Sequence, residues 1–310
     1  MPTFSAIIPN YNDGARINAS LSSLCNQTHP FDEILIIDDG STDDSIAVIE
    51  RLIADKPNVR LIRSPQNKGI VATLNQGLAL VTGDYVHMAS ANDTYNVRLL
   101  EYCVKALAEC PDLALICGNA LFRYKETKRE RTVFMDLPQT ASYVSAQTLR
   151  AKVKCSPLTF FGGSIVLRRQ AVLDANGLQE SLRWHTDWMI YFLFAFRYGL
   201  YFVPEPLVNI EVANESYSSQ AMVWSRQRDV IYALITLLAS EYPDMRECWK
   251  STALLPTYDL RAISILRLPE CRWYVTPLLL WRMTVHSLSY RLKYYLPRSL
   301  LIKLRKVFRV

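Results

Sequence analysis

Apolar residues in the first third of the chain fall in short runs separated by longer segments with helical spacing. Phe4 to Pro9 is one such run, and Ile34 to Asp38 is another, with three isoleucines. Val59 to Arg63, Tyr85 to Met88 and Leu113 to Gly118 continue the series. The intervening segments Arg16–Asn26, Ser45–Ala54, Ile70–Val81 and Val97–Glu109 repeat their apolar positions three and four residues apart, the period of a helix with one buried face. Short strands alternating with helices predict βαβ units, hence an α/β fold on a mostly parallel sheet flanked by helices. Ligands of such sheets sit at the carboxyl ends of the strands. That places any chemistry in Pro9–Asn12, Asp38–Asp43 and Met88–Asp93.

The pattern becomes irregular from about Leu121, where the charged stretch Arg123 to Arg131 reads as a solvated loop or hairpin. Order returns at Thr159 to Arg169, and Trp184 to Tyr198 predicts a long helix rich in aromatics. Past Ser225 the helix-like segments are broken by Pro243, Pro256, Pro269, Pro277 and Pro297. No internal repeat or low-complexity segment is present.

Composition narrows the class. Half of the 310 residues are hydrophobic and 21% are charged, the balance of a folded chain. No run without Lys, Arg, Asp or Glu exceeds 15 residues, Ile17 to Phe31 among them, short of the ~18 apolar residues of a membrane-spanning helix. No secretory signal is visible at the N-terminus. Seven cysteines with no Cys-x-x-Cys argue against a disulfide framework or a zinc site, so a reduced, cytoplasmic protein is expected. The net charge of +6 is uneven: Cys271 to Val310 holds nine Lys/Arg and no acid, leaving the rest of the chain slightly acidic.

The sharpest local feature is Asp38-Asp39-Gly40-Ser41-Thr42-Asp43. Ser41 is placed to cap the following helix, with Asp44 three residues on in support. A strand, turn and cap account for Gly, Ser and Thr but not for two adjacent acids, since a carboxylate buried without a partner is costly. One of them is therefore expected to accept a hydrogen bond from a ligand N–H. In Pro9-Asn10-Tyr11-Asn12, Tyr11 offers a ring to stack on a base. Alone, that segment and Asn67-Lys68-Gly69 are equally readable as ordinary turns.

Taken together, these segments resemble glycosyltransferase family 2, whose members have the GT-A fold and use nucleotide-diphosphate sugars. The resemblance is carried by Ile7-Ile8-Pro9-Asn10-Tyr11-Asn12, Asp38 to Asp43, Asn67-Lys68-Gly69, Asn75-Gln76-Gly77-Leu78 and Thr82-Gly83-Asp84-Tyr85. It continues through Gly162 to Arg169, Gly177-Leu178 and Thr186-Asp187-Trp188, covering roughly residues 3–220. It implies a nucleotide site of Pro9, Tyr11, Asp38, Asp39, Asn67, Lys68, Gly69 and Asn75, with Tyr11 and Asp39 holding the base. It also implies that Asp187 is the catalytic base of an inverting transfer. The corresponding organisation is a nucleotide-sugar-binding half over 1–120, an acceptor half over 121–224, and a basic helical region over 225–310.

On its own residues, Asp187 admits two readings. It stands between Trp184 and Trp188, where desolvation raises a carboxyl toward the range of a general base. It is equally a helix-capping or first-turn acid. The resemblance favours the base.

Three departures gather around the diphosphate. The family's acid cluster after the fourth strand reads Ser90-Ala91-Asn92-Asp93, with one carboxylate, so Mn²⁺ or Mg²⁺ held by Asp93, Ser90 and Asn92 is expected to bind weakly. Ala213 stands where a metal-binding His is common, and Leu74 where an Arg is often found near the phosphates. The four histidines show no ligand spacing and read as ordinary polar residues. Cys103 and Cys110 fit one helical face, with Cys117 in the next strand.

The segment Ser299 to Arg309 can separate apolar and basic faces on a helix, suiting either an anionic membrane surface or docking on the main domain. The leading expectation is a transferase acting on a lipid-linked or growing glycan, peripheral on the inner face of the cytoplasmic membrane. A non-catalytic nucleotide- or glycan-binding protein is the competing class. No motif supports nucleic-acid binding.

Overall fold

The computed structural model describes residues 1–124, 127–156, 158–212 and 223–292. Its strands are β1 (Phe4–Asn10), β2 (Glu33–Asp38), β3 (Val59–Arg63), β4 (Tyr85–Met88), β5 (Thr94–Tyr95), β6 (Leu115–Tyr124), β7 (Arg129–Val133), β8 (Ser142–Val144), β9 (Val166–Arg168) and β10 (Leu200–Val212). The helices are α1 (Ile17–Cys25), α2 (Ser45–Ile53), α3 (Ile70–Leu80), α4 (Leu99–Glu109), α5 (Ala146–Cys155), α6 (Arg169–Asp174), α7 (Thr186–Tyr198), α8 (Trp224–Ser240), α9 (Arg246–Thr252), α10 (Ile263–Leu266) and α11 (Pro277–Leu292). Two compact units result. One comprises Met1–Ser145, Phe160–Glu180 and Thr186–Glu215; the other comprises Ala146–Thr159, Ser181–His185 and Ser216–Val310.

The first unit is built on a sheet in the order β3-β2-β1-β4-β9-β6-β10-β5, with β7 on β6 and β8 on β10. Its first four strands are parallel, as the alternating pattern predicts. Residues of β1 and β2 are buried on both faces, which is why they read as continuous apolar runs rather than alternating ones. β9 then enters antiparallel between β4 and β6, and β6 pairs in parallel with β10. The β6–β10 register shifts around Pro206, a residue that has no N–H to give the ladder. The charged stretch near Arg123 to Arg131 is a hairpin of β6 and β7. Every residue of α7 from Met189 to Phe196 is buried, so most of this helix is an internal pillar.

One local expectation is overturned. Ser41 does not cap α2, which starts at Ser45 with Asp44 in the cap position and no side-chain cap bond. The Ser45 N–H instead donates to Asp43 Oδ1 at 3.0 Å, while the Ser41 hydroxyl is taken by the loop after β1.

The second unit is helical. α8 buries Val230, Ile231, Leu234, Ile235 and Leu238, and Trp249, Tyr274 and Arg282 are enclosed among the surrounding helices. The helices are interrupted near Pro243, Pro256, Pro269 and Pro277, while Pro297 and the segment Ser299 to Arg309 lie outside the described residues. All seven cysteines are free thiols.

Candidate active site

The parallel register sets Asn10 beside Asp38 at the ends of β1 and β2. Asn10 Nδ2 donates to Asp38 Oδ2 at 2.8 Å, and the Ser41 N–H donates to Asp38 Oδ1 at 2.9 Å. Asp38 is fully buried, and these bonds satisfy it. Ser41 Oγ accepts the Asn12 N–H at 2.9 Å, and Asn12 Oδ1 accepts the Thr42 N–H at 2.8 Å. The β1 and β2 loops are thereby sewn together, with Asn12 held at φ 53°.

Asp39 reaches the third loop. Its Oδ1 accepts the Lys68 N–H at 2.9 Å and its Oδ2 the Gly69 N–H at 2.8 Å. Gly40 has φ +74°, and a Cβ there would stand 2.8 Å from the Gln66 backbone, so only glycine permits this approach. A carboxylate offers about four lone-pair directions, so Asp39 keeps acceptor capacity for a ligand N–H. Pro9, Tyr11, Asp38, Asp39, Asn67, Lys68 and Gly69 thus meet at one sheet edge, with the Tyr11 ring 47% exposed. Asn75 is engaged elsewhere. Its Nδ2 donates to the Leu178 carbonyl and its Oδ1 accepts the Leu178 N–H, both at 2.8 Å, clamping the 177–178 turn onto α3.

Past β4, the Ser90 hydroxyl donates to Asn92 Oδ1. The Ser90 N–H donates to the Tyr95 hydroxyl at 2.6 Å, and Ser20 Oγ donates to the Ser90 carbonyl at 2.7 Å. Asp93 Oδ1 accepts the Glu211 N–H at 3.2 Å. Burial, reinforced by the Glu211 charge, pushes the Asp93 carboxyl up to about 6. No group of three or more His, Cys, Asp or Glu suited to a metal exists among the described residues, and Ala213 lies outside them. Two neutral oxygens and one carboxylate suit a hard cation that arrives already held by phosphates, not one caged by protein.

Asp187 occupies the first turn of α7. A helix N-terminus favours a charged acid, yet burial outweighs it and pushes this carboxyl up to about 6, against hydrogen bonds from the Trp188 N–H and the Tyr191 hydroxyl. Tyr191 is one turn further along, almost fully buried, with its ring 5.8 Å from Phe160. Gly162 faces both groups: a Cβ there would lie 3.3 Å from the Tyr191 hydroxyl and 3.4 Å from Asp187 Oδ2. The bare glycine keeps that space clear.

The residues preceding α7 belong to the helical unit. Gln227 Oε1 accepts from Trp184 Nε1 at 3.2 Å, and Gln227 Nε2 lies 3.2 Å from His185 Nε2. Burial pushes His185 down to about 4, so it is neutral at pH 7. Arg183 carries φ 50° and ψ −119°, a strained conformation for a side-chain-bearing residue. His87 is likewise buried and lowered to about 4, with Nδ1 2.9 Å from the Ile165 carbonyl. Tyr191 and Gln227 were not singled out by the sequence, and Gly162 stood in the Gly162–Arg169 segment without a role. Only Tyr191 left a signal, its i+4 spacing from Asp187.

The chain is similar to several known proteins. The description "Glycosyl transferase family 2" matches residues 5–177. The uncharacterized glycosyltransferase YibD of Escherichia coli is 35% identical over 193 residues, which is 60% of this chain and 56% of YibD. Matches to curated relatives thus span about half or less of those proteins' lengths, 37% in a Haemophilus influenzae glycosyltransferase. Among solved structures, S. aureus TarS 1–349 in complex with UDP-GlcNAc superposes with a TM-score of 0.58 at 16% identity, covering 94% of this chain and 92% of that one. The mannosyltransferase PcManGT of Pyrobaculum calidifontis, with GDP-Man and Mn²⁺, gives 0.57 at 16% identity over 99% and 87%. At such identities the likeness is one of fold. With more than half its length matched by the family, the chain belongs to glycosyl transferase family 2.

Proposed function

We propose that this protein moves a sugar from a nucleotide-diphosphate sugar to a hydroxyl acceptor, with inversion at the anomeric carbon. The observation that carries the proposal is the Asp187 carboxyl, raised to about 6 and facing the space kept clear by Gly162. Such a group is deprotonated at pH 7 yet basic enough to receive a proton. Asp187 takes the acceptor proton as the acceptor oxygen attacks the anomeric carbon. The new carbon–oxygen bond forms opposite the breaking bond to phosphate, and its electron pair leaves with the nucleoside diphosphate. Tyr11, Asp39 and the 67–69 loop hold the nucleotide, with Pro9 and Asp38 shaping the floor beneath them.

A divalent cation, Mn²⁺ or Mg²⁺, would be held by Asp93, Ser90 and Asn92 together with the diphosphate, and would stabilise the charge on the leaving group. The acceptor is a glycan or lipid-linked glycan in cell-surface polysaccharide synthesis, met at the inner membrane face. The acid-free, basic sequence from Cys271 onward supports that site of action.

A thermal-shift panel tests the donor and the cation together. A nucleoside diphosphate at a hundred times its dissociation constant stabilises a protein by about 2.7 kcal/mol. UDP or GDP should raise the melting temperature, Mn²⁺ alone should not, and Mn²⁺ should add to the nucleotide's effect. In Asp39→Ala, loss of a charged hydrogen bond should weaken nucleotide binding roughly ten- to a hundred-fold. Silence toward every nucleoside diphosphate, or tight Mn²⁺ binding without one, would sink the assignment.

A further inference from the structure

Gln227 is the polar exception on the buried side of α8. Its companions there, Val230, Ile231, Leu234, Ile235 and Leu238, are apolar and continue one helical face from it at spacings of three and four. Gln227 itself is 3% exposed. An amide in such a stripe is costly unless both its ends are bonded. Both are: Oε1 accepts from Trp184 Nε1, and Nε2 donates to His185 Nε2, each at 3.2 Å. The indole N–H can only donate, which fixes the orientation of the amide, and the amide N–H then needs a lone pair on His185 Nε2. His185, lowered to about 4 by burial, is neutral and supplies that lone pair with its proton on Nδ1. One side chain thus holds two consecutive residues from far along the chain.

Those two residues link a strained corner to the proposed base. Immediately before them, Arg183 at φ 50° and ψ −119° has the backbone angles of the first corner of a type II′ turn, a conformation that favours glycine. With a side chain it persists only where the surrounding structure holds it. Immediately after them come Thr186 and Asp187, which open α7. Thr186 Oγ1 accepts the Gln179 N–H at 2.6 Å, so the stretch entering α7 is tied there as well. We propose that Gln227 is a positioning residue for the transfer: by holding Trp184 and His185 it maintains the Arg183 corner and sets the placement of Asp187, two residues further on. Gln227 acts through the backbone it holds, not on the reacting atoms. The inference rests on the reading of Asp187 as the base.

The test compares Gln227→Met with Gln227→Glu by steady-state kinetics across pH, with the folded fraction read by circular dichroism. Methionine has about the same volume but bonds to neither partner. Its kcat should fall roughly ten- to a hundred-fold, the scale on which a small misplacement slows a reaction, with nucleoside diphosphate affinity unchanged. The rise in rate near pH 6 should move to lower pH, because a loosened Asp187 meets more water and returns toward the ordinary carboxyl range. Gln227→Glu should recover most of the rate: its carboxylate still accepts from Trp184, and His185 can move its ring proton to Nε2 and donate. Trp184→Phe, which removes one bond and keeps a ring, replaces the methionine variant if that one does not fold, and should move the pH limb the same way by less. A folded variant with wild-type kcat and pH limb, even at a lowered melting temperature, overturns the inference and leaves Gln227 to packing alone. A glutamate variant as slow as the methionine one overturns it too. Asp187→Asn separates the two readings. If it is slow while Gln227→Met is normal, only the positioning role falls; if Asp187→Asn turns over normally, the base falls and this role with it.

Discussion

Arg282→Met is expected to destabilise the helical unit by about 3–5 kcal/mol, the scale on which a broken buried polar network costs a domain. The Arg282 guanidinium is 1% exposed. Nη1 donates to the Thr252 carbonyl at 2.6 Å and to the Tyr258 hydroxyl at 3.1 Å, and Nη2 donates to the carbonyls of Val153 and, at 3.1 Å, Lys154. Those carbonyls belong to the last turns of α9 and α5, where a helix leaves its final C=O groups without partners and carries partial negative charge. One cation thus closes the ends of two helices from a third. Methionine matches much of its volume but donates nothing, so buried carbonyls are left unsatisfied at about 1–3 kcal/mol each. Arg282→Lys should recover little, because an ammonium lacks the planar fork that spans both helix ends. Denaturant titration followed by circular dichroism reads the loss. A methionine variant as stable as wild type would mean that the network contributes nothing net.

Arg282 also shows where sequence reading stops. In one dimension it is one of nine positive charges in a segment without an acid, and only the packing of α11 on its neighbours turns it inward. The parallel half of the sheet was legible because strands buried on both faces must be apolar end to end. The predicted β3 and β4 match the observed strands, and α1 to α4 begin and end within two residues of expectation. β9 was harder to read. It is three residues long, too short for a period, and its antiparallel place between β4 and β6 depends on partners far along the chain.

The same limit explains Ser41 and Asp38. A Ser and an Asp at capping spacing predict a cap, but the β1–β2 register brings Asn10 and Asn12 onto Ser41 and Asp38 from about 30 residues away. Those contacts also supply partners for a strand-end acid that local sequence left unexplained. The first-turn position of Asp187 was readable, and the direction of its shift followed from the tryptophans around it in sequence. The Tyr191 hydroxyl and the cleared face of Gly162 needed the folded chain.

Asp187→Asn should lower the transfer rate constant by 10²–10⁴-fold, the usual contribution of a general base, with donor affinity nearly unchanged. Asparagine keeps the shape and the acceptor oxygen for the Trp188 N–H but cannot receive a proton. The pH profile sharpens the test. A base near 6 makes the wild-type rate rise as pH climbs through about 6 and level above it, and that limb should vanish in Asp187→Asn. Removing the Tyr191 hydroxyl removes a bond that favours the ionised carboxyl, so Tyr191→Phe should move the limb to higher pH. Stability runs the other way. The folded state holds this proton more tightly than the unfolded chain, so Asp187 weakens folding as pH rises from about 4 to 6 and the deficit persists above. Asp187→Asn should therefore be at least as stable as wild type at pH 7, while turning over far more slowly. If the acid served only the first turn of α7, asparagine would leave rate, pH profile and melting temperature close to wild type. Near-normal turnover by Asp187→Asn, measured as nucleoside diphosphate release with an active donor and acceptor, would remove Asp187 from the mechanism.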